Sequence, residues 1–294
     1  MGTHPTSPSH VQISSSSQTL ASYLKEHPEL IGSAVRDRFP SAAEGNLPFL
    51  FKVLSVEKAL SIQTHPDKAT AEKLHKELPN IYKGNFYLLL LEPNLIEATD
   101  DNHKPELALA LTPFQAMCGF LPLPDIAKNL KETPELSSLI PRTILDDFLS
   151  VSSSESAEEK LQKVALKNVF AAIMTADEAD YKPQLDTLVS RYEGLTKKDS
   201  IAELVLRLNS QFPGDIGIFC AFLLNHVVLR PGEAIFLGAG EPHAYVSGGK
   251  STSITPESTA QKSTLKQILS SAWPTPTMSF AQALLLSSEI FLIW

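Results

Sequence analysis

A change of hydrophobic period in the middle of the chain constrains its fold most. From about residue 122 to 212, and most clearly over 158–174, apolar residues recur at spacings of three and four. This period predicts amphipathic helices. The runs 47–56, 107–111 and 216–228 are instead rich in β-branched and aromatic residues and are bounded by turn formers, which is typical of strands. The pattern therefore predicts a mainly β protein with a helical insertion.

This pattern divides the 294 residues into four parts. Residues 1–112 form the first part of a β domain, and 214–248 form its second part. The helical insertion occupies 113–213 between them, and 249–294 is a tail that continues neither pattern.

Composition excludes several classes of partner. A formal charge of -8 argues against nucleic acids and anionic membranes, because both require a basic surface. The apolar end at 280–294 is shorter than the roughly 20 residues of a membrane-spanning helix. Two cysteines are too few for a disulfide framework, and no signal peptide opens the chain, so we expect a cytoplasmic protein. No protein partner is indicated.

Four side chains that bind metals occur in three separate segments. Gln63 and His65 are two residues apart after an apolar run, so on a strand they would project from the same face. Glu106 and His243 follow in two later segments, 101–106 and 240–248. Oxygen and imidazole donors of this kind suit zinc. On the residues alone, a plain turn at each His-Pro or Pro-His pair remains the commoner alternative.

The order of these segments and their amino-acid sequences resemble those of type I phosphomannose isomerases, a zinc-dependent family of the cupin superfamily. The resemblance runs from the first residue to Gly248 with one interruption, and it also takes in 1–5, 109–114, 118–120 and 209–217. It implies an incomplete catalytic cupin jelly roll carrying an inserted helical domain. A second cupin domain, which follows in the family, is absent from this sequence.

The resemblance also implies a reaction and a set of site residues. The reaction is the interconversion of mannose 6-phosphate and fructose 6-phosphate through an enediol-like intermediate, which feeds GDP-mannose synthesis. It requires a base, an electrophile for the developing oxyanion and a clamp for the phosphate. The implied zinc ligands are Gln63, His65, Glu106 and His243; the implied substrate contacts are Lys52, Ser61 and Lys104; the implied catalytic positions are Lys104 and Tyr245.

Two of these positions have ordinary structural alternatives. Lys52 could equally extend to solvent from a strand. Tyr245 alone is more often a packing aromatic.

Segment 84–99 interrupts the resemblance. Its apolar run could be an extra buried strand or a partner-binding patch. However, codons for Gly84 and Asn85 can contain an intron donor, and codons for Thr99 and Asp100 can contain an acceptor. The hypothesis we favour is a short unspliced insertion.

The tail is the second departure from the family. An acidic segment, a Ser-Asp-Asn turn and an arginine held to be catalytic should follow Gly248 and are not visible. A one-base shift of the reading frame over 268–281 restores them. The tail 249–294 is therefore interpreted as a retained intron followed by a frameshift, with an exposed apolar end. We expect the chain as it stands to be impaired as an enzyme; the alternative is a non-catalytic zinc- or sugar-binding cupin remnant.

Overall fold

The chain folds into two units in a computed structural model. The structure describes residues 2–3, 8–13, 16–67, 69–70, 73, 76, 106–154, 158–195, 200–249 and 289–293. The first unit comprises Met1–Ala116 and Val228–Trp294, and the second comprises Met117–Val227. The segment 84–99, interpreted above as an insertion, lies outside the described residues, as does most of the tail. Within the described ranges no helix is long and apolar enough to cross a membrane.

Most described strands flank a helical stretch at 123–211, as the hydrophobic pattern predicts, but two short helices within 20–38 lie in the first part of the predicted β domain. The strands are β1 (His10–Ile13), β2 (Ser16–Thr19), β3 (Leu50–Leu54), β4 (Glu106–Ala110), β5 (Phe114–Phe120), β6 (Leu224–Leu229), β7 (Ala234–Leu237), β8 (His243–Ser247) and β9 (Glu289–Ile293). The helices are α1 (Leu20–Glu26), α2 (Ser33–Arg38), α3 (Leu123–Glu132), α4 (Pro134–Ser137), α5 (Arg142–Ser152), α6 (Glu159–Met174), α7 (Glu178–Glu193) and α8 (Ser200–Gln211).

A four-stranded sheet in the first unit has the order β3-β9-β4-β7. Strand β4 is buried along its whole length, and β7 pairs with it antiparallel, with Glu106 opposite Leu237. A turn at Gly232, where φ is 91°, leads into β7. A second sheet has the order β6-β5-β8, and a hairpin of β1 and β2 forms the third.

Strand β9 corrects the expectation that the apolar end of the tail is wholly exposed. Its backbone lies between β3 and β4 and runs parallel to both, so that Glu289 is opposite Leu50 on one side and Glu106 on the other. Unpaired strand edges carry free N–H and C=O groups that an extended apolar segment can satisfy. The hydrophobic pattern alone did not reveal that two such edges were available.

The segment that follows β3 is less regular than predicted. A strand was expected over 47–56, continuing into the pair Gln63 and His65, but β3 ends at Leu54. Residues 56–63 instead meet β8 and its flank antiparallel at two isolated bridges, Val56 with Gly248 and Gln63 with His243. Gln63 lies seven residues after Val56, but Gly248 lies only five residues after His243. The segment 56–63 therefore carries two more residues than the stretch of β8 that it pairs with. Such bulges explain why a continuous strand does not form.

The second unit is helical where the period of three to four predicted helices. Helices α6, α7 and α8 lie within the predicted helical stretch 122–212 and bury one apolar face each, including Val169, Leu188 and Val205. The prediction of sheet from residue 216 was wrong in its first half: Ile216–Phe222 is a 3-10 helix. The Asp215 carboxylate accepts a hydrogen bond from the Gly217 N–H at 2.7 Å and starts this turn. Residues 218–222 of this run are all buried. A run of buried apolar residues has no periodicity by which a strand could be distinguished from a helix.

Candidate metal centre

Three buried side chains of the first unit converge on one point. One nitrogen or oxygen atom each from His65, Glu106 and His243 lies within 4.8 Å of the other two, and each residue is no more than 4% exposed. Glu106 is the first residue of β4 and His243 the first of β8. His65 lies in a loop, and its carbonyl accepts a hydrogen bond from the Gly240 N–H at 2.7 Å. Elements far apart in sequence thus hold three potential metal ligands together.

The spacing of these atoms suits a tetrahedral metal. Glu106 Oε1 lies 3.1 Å from His65 Nε2, and Glu106 Oε2 lies 3.5 Å from His243 Nε2. Bonds of about 2.0–2.1 Å to a tetrahedral zinc ion separate neighbouring ligand atoms by roughly 3.3 Å. Both distances are close to this value, so Glu106 and either histidine can share such an ion with little movement.

Hydrogen bonding fixes the proton on His243. Its Nδ1 lies 2.9 Å from the Glu241 carbonyl oxygen, which can only accept, so Nδ1 carries the proton. Nε2 faces the Glu106 carboxylate: in the protonated ring it donates a hydrogen bond to that carboxylate, and in the neutral ring it offers a lone pair to a metal. A backbone carbonyl is a usual partner of a metal-binding histidine. The donors at this point of the fold fit a divalent metal.

Glu106 is held in its ionised form. Burial by itself raises the pKa of this carboxyl, but hydrogen bonds from His243 and His65 oppose it. The charge of His243 and a hydrogen bond from Tyr245 act in the same direction and bring the pKa to about 2. The carboxylate is therefore charged at any physiological pH and available to a cation.

Tyr245 contacts the same carboxylate from the neighbouring strand. Its hydroxyl donates to Glu106 Oε2 at 2.5 Å, which is the short distance of a charge-assisted O–H···O⁻ bond. The ring is 4% exposed and meets the Phe114 ring edge-on, with centroids 5.5 Å apart. The hydroxyl is thus fixed by packing as well as by hydrogen bonding.

The remaining predicted site residues are Gln63, Lys52, Ser61 and Lys104. Gln63 exchanges two backbone hydrogen bonds of 2.8 Å with His243, so their side chains project from the same side of the pair. Lys52 is half-buried on β3, and Ser61 is exposed in the loop before Gln63. Lys104 lies outside the described residues.

Sequence reasoning missed the groups that orient the ligands. The Glu241 carbonyl and the Gly240 N–H belong to the backbone, which every residue type supplies, so no sequence signal marks them. Phe114 was noted only within a matching segment, and nothing in the sequence indicated its contact with Tyr245.

Together the sheets, the helical unit and the buried His-Glu-His cluster define a metal-binding β protein with a helical insertion. Two domain models of one family match the chain. The phosphomannose isomerase type I catalytic domain matches residues 1–87 and 88–123, and the helical insertion domain of the same family matches 139–224. The chain belongs to the type I phosphomannose isomerase family.

Curated relatives agree with this assignment. The mannose-6-phosphate isomerase of Cryptococcus neoformans is 43% identical over 268 residues, which cover 84% of this chain and 57% of that protein. The human mannose-6-phosphate isomerase is 41% identical over 256 residues, covering 84% of this chain and 55% of that protein. The chain therefore spans little more than half the length of these relatives.

Solved structures confirm the predicted fold class, a cupin-like domain with a helical insertion. A zinc-bound mannose 6-phosphate isomerase superposes with a TM-score of 0.62 at 28% identity, over 84% of this chain and 57% of that one. The Salmonella typhimurium enzyme, solved with its substrate fructose 6-phosphate and zinc, gives the same TM-score and identity, over 84% of this chain and 56% of that one.

Proposed function

We propose that the protein to which this chain belongs interconverts mannose 6-phosphate and fructose 6-phosphate with a zinc ion held by Gln63, His65, Glu106 and His243. The observation that carries this proposal is the buried cluster of His65, Glu106 and His243. It lies in the unit that contains the match to the catalytic domain of the family.

Each ligand is prepared for its role by its surroundings. Glu106 supplies a permanent negative charge because the pKa of its carboxyl is held near 2. The Glu241 carbonyl accepts a hydrogen bond from Nδ1 of His243, so Nε2 is the nitrogen of this ring that can bind a metal once its own proton is lost. Zinc bound there supplies a Lewis acid that polarises the sugar oxygens as a proton moves between neighbouring carbons. Burial of the cluster strengthens this polarisation, since little water competes.

Gln63 is proposed as the fourth ligand because of its pairing with His243. Directly opposed residues of an antiparallel pair have their side chains about 5 Å apart at Cβ. The amide of Gln63 is therefore within reach of a metal bound by His243. Three or four protein ligands with an open position are typical of catalytic rather than structural zinc.

Lys52 is proposed to contact the phosphate. The register of the sheet places Lys52, Phe291 and Ala108 in one row. Opposed residues on neighbouring strands share a face, and so do alternate residues of one strand. Lys52 and Glu106 therefore share a face of the sheet, with backbones roughly 12 Å apart by strand spacing and rise. A lysine and a six-carbon sugar phosphate can bridge that distance, and a chain of charge -8 needs such a local cation.

The other proposed contacts rest on sequence spacing. Lys104 precedes the ligand Glu106 by two residues, and Tyr245 follows the ligand His243 by two on β8. Alternate residues of β8 share a face, so Tyr245 suits a catalytic or substrate role beside the metal, and Lys104 is proposed for such a role from its sequence position alone. Ser61 lies in the loop two residues before Gln63 and is proposed as a sugar contact.

The experiment that tests the proposed function is proton exchange at the sugar. The purified chain, loaded with one equivalent of zinc, is incubated with mannose 6-phosphate in D₂O. We expect at most weak signals from the chain as it stands. With the tail replaced by the frame-shifted sequence, we expect deuterium at carbon 2 of the recovered mannose 6-phosphate and fructose 6-phosphate as product. Both signals should be lost in Glu106→Gln and kept in Glu57→Gln, which alters an exposed carboxylate. A zinc-loaded chain that gives neither signal, even with the tail replaced by the frame-shifted sequence, would contradict the proposal.

A non-catalytic zinc- or sugar-binding role is the second proposal for the chain as it stands. It is favoured because the arginine segment implied by the resemblance is not visible after Gly248. Sequencing of the transcript distinguishes the two: removal of 84–99 and a shifted frame after 249 favour the enzyme, and an unspliced message favours the non-catalytic role.

The cellular setting stays a proposal as well. The substrate is a small sugar phosphate, and the negative charge gives no support to nucleic acid as a partner. Neither Cys118 nor Cys220 forms a disulfide, and both are buried, which is compatible with a reducing cytoplasm.

A further inference from the structure

The hydroxyl of Tyr245 lies closer to the cluster than its sequence position alone indicates. The hydrogen bond that it donates to Glu106 Oε2 is 2.5 Å long, while His243 Nε2 lies 3.5 Å from the same oxygen. Glu106 Oε1 has a different neighbour, His65 Nε2 at 3.1 Å. The two oxygens of one buried carboxylate therefore have unequal surroundings.

This inequality decides how the carboxylate can bind a metal. A carboxylate oxygen that accepts a short, charge-assisted hydrogen bond uses one of its two lone pairs in that bond and is a weaker metal ligand than its partner oxygen. Oε2 is in that position, whereas Oε1 accepts no such bond from Tyr245. Binding through both oxygens at once would weaken the Tyr245 hydrogen bond.

Packing keeps the hydroxyl in place. Tyr245 is 4% exposed, and its ring centroid lies 5.5 Å from that of Phe114 and 6.0 Å from that of His243. The backbone beside it is held too, because the Tyr245 carbonyl accepts the Leu60 N–H at 2.9 Å. A buried hydroxyl with these restraints cannot turn readily toward a substrate.

We propose that Tyr245 is a positioning residue that holds Glu106 as a one-oxygen metal ligand, through Oε1, and thereby keeps a coordination position open for the sugar. The inference rests on the metal site of the proposed function but not on turnover. It gives Tyr245 a specific task in place of the general catalytic role expected from its position in the sequence.

The test compares metal binding by the wild-type chain and by Tyr245→Phe, which keeps the ring and removes only the hydroxyl. Zinc affinity is measured by competition with a chromophoric chelator, and the coordination number is read from the visible spectrum of the Co²⁺-loaded protein. Tyr23→Phe is the matched control, since Tyr23 lies on α1 and packs against His27. Circular dichroism of the metal-free proteins checks that all variants are folded.

We expect Tyr245→Phe to lose about 10- to 100-fold in zinc affinity, the usual effect of removing a partner of a metal ligand. Its Co²⁺ absorption should weaken as Glu106 binds through both oxygens and the coordination number rises, while Tyr23→Phe matches the wild type. If Tyr245→Phe does not fold, Phe114→Leu is used instead. It keeps the hydroxyl but loosens its support, and it should shift both measurements in the same direction by a smaller factor.

Two results would overturn the inference. Wild-type zinc affinity and an unchanged Co²⁺ spectrum in Tyr245→Phe, with turnover lost, would assign the hydroxyl to the substrate and leave the metal site intact. No zinc binding by the wild-type chain itself would overturn the proposed function, and this inference with it.

Discussion

Replacement of Glu106 by glutamine in the metal-free protein tests how strongly the cluster favours a charged carboxylate. The pKa of this group is about 2 instead of the ordinary 4.5. Each pKa unit corresponds to about 1.4 kcal/mol, so the surroundings favour the ionised form by about 3 kcal/mol. Glutamine has nearly the same shape but presents a neutral group to His65 and His243.

The sign of the pH dependence follows from the direction of this shift. Because the pKa is lower in the folded than in the unfolded state, the carboxylate stabilises the fold at pH values above the unfolded value of 4.5. That contribution is lost as the pH falls from about 4.5 towards 2. We therefore expect Glu106→Gln to lower the free energy of unfolding by about 3 kcal/mol at pH 7 and by about half as much at pH 3.

The assay is urea unfolding in the presence of a chelator, followed by circular dichroism at several pH values. Glu57→Gln is the control, because its carboxylate is exposed and it should change stability by less than about 0.5 kcal/mol. An equal effect of Glu106→Gln at pH 7 and pH 3, or no effect at pH 7, would refute the reasoning. Either result would mean that the imidazoles do not stabilise the charge on Glu106.

Two further expectations concern the backbone and the substrate. Gly45 has φ of 85°, and a Cβ there would lie 2.1 Å from the Ala21 carbonyl oxygen; Gly45→Ala should therefore cost more than the roughly 1–2 kcal/mol of a left-handed residue. Gly232→Ala, at φ of 91° with no described atom within 4 Å, should cost only that amount, and equal losses in urea unfolding would disprove the clash. Lys52→Ala should raise the KM for mannose 6-phosphate about 10-fold or more with little change in kcat, consistent with the loss of one charge-assisted hydrogen bond. The exposed Lys58→Ala should leave KM unchanged, and an equal effect of both variants would count against a phosphate contact at Lys52.

The helical insertion could be predicted from the sequence because its amphipathic period extends over many residues. Helices α6, α7 and α8 all lie within the stretch 122–212, and α6 begins and ends within one residue of 158–174, where the period is clearest. The 3-10 helix Ile216–Phe222 could not be predicted in the same way. Its residues 218–222 are all buried, so they show neither the period of a strand nor that of a helix.

The metal ligands His65, Glu106 and His243 were predictable as residues but not as an arrangement. Their side-chain chemistry and the family resemblance indicated a site, and the structure brings the three together. The strand expected to carry Gln63 and His65 does not form, because bulges against β8 take its place. Strand pairing between distant segments, such as β9 with β3 and β4, depends on which edges remain free after folding. The local sequence does not indicate which strand edges remain unpaired.

Anomalous X-ray diffraction from crystals of the zinc-loaded chain measures the metal centre most directly. Data collected on either side of the zinc absorption edge locate the ion without reference to any assumed ligand. We expect one strong peak within about 2.0–2.2 Å of Glu106 Oε1, His65 Nε2 and His243 Nε2, with the Tyr245 hydroxyl still on Oε2. A peak elsewhere, or none at full zinc loading in solution, would contradict a metal site at these three residues.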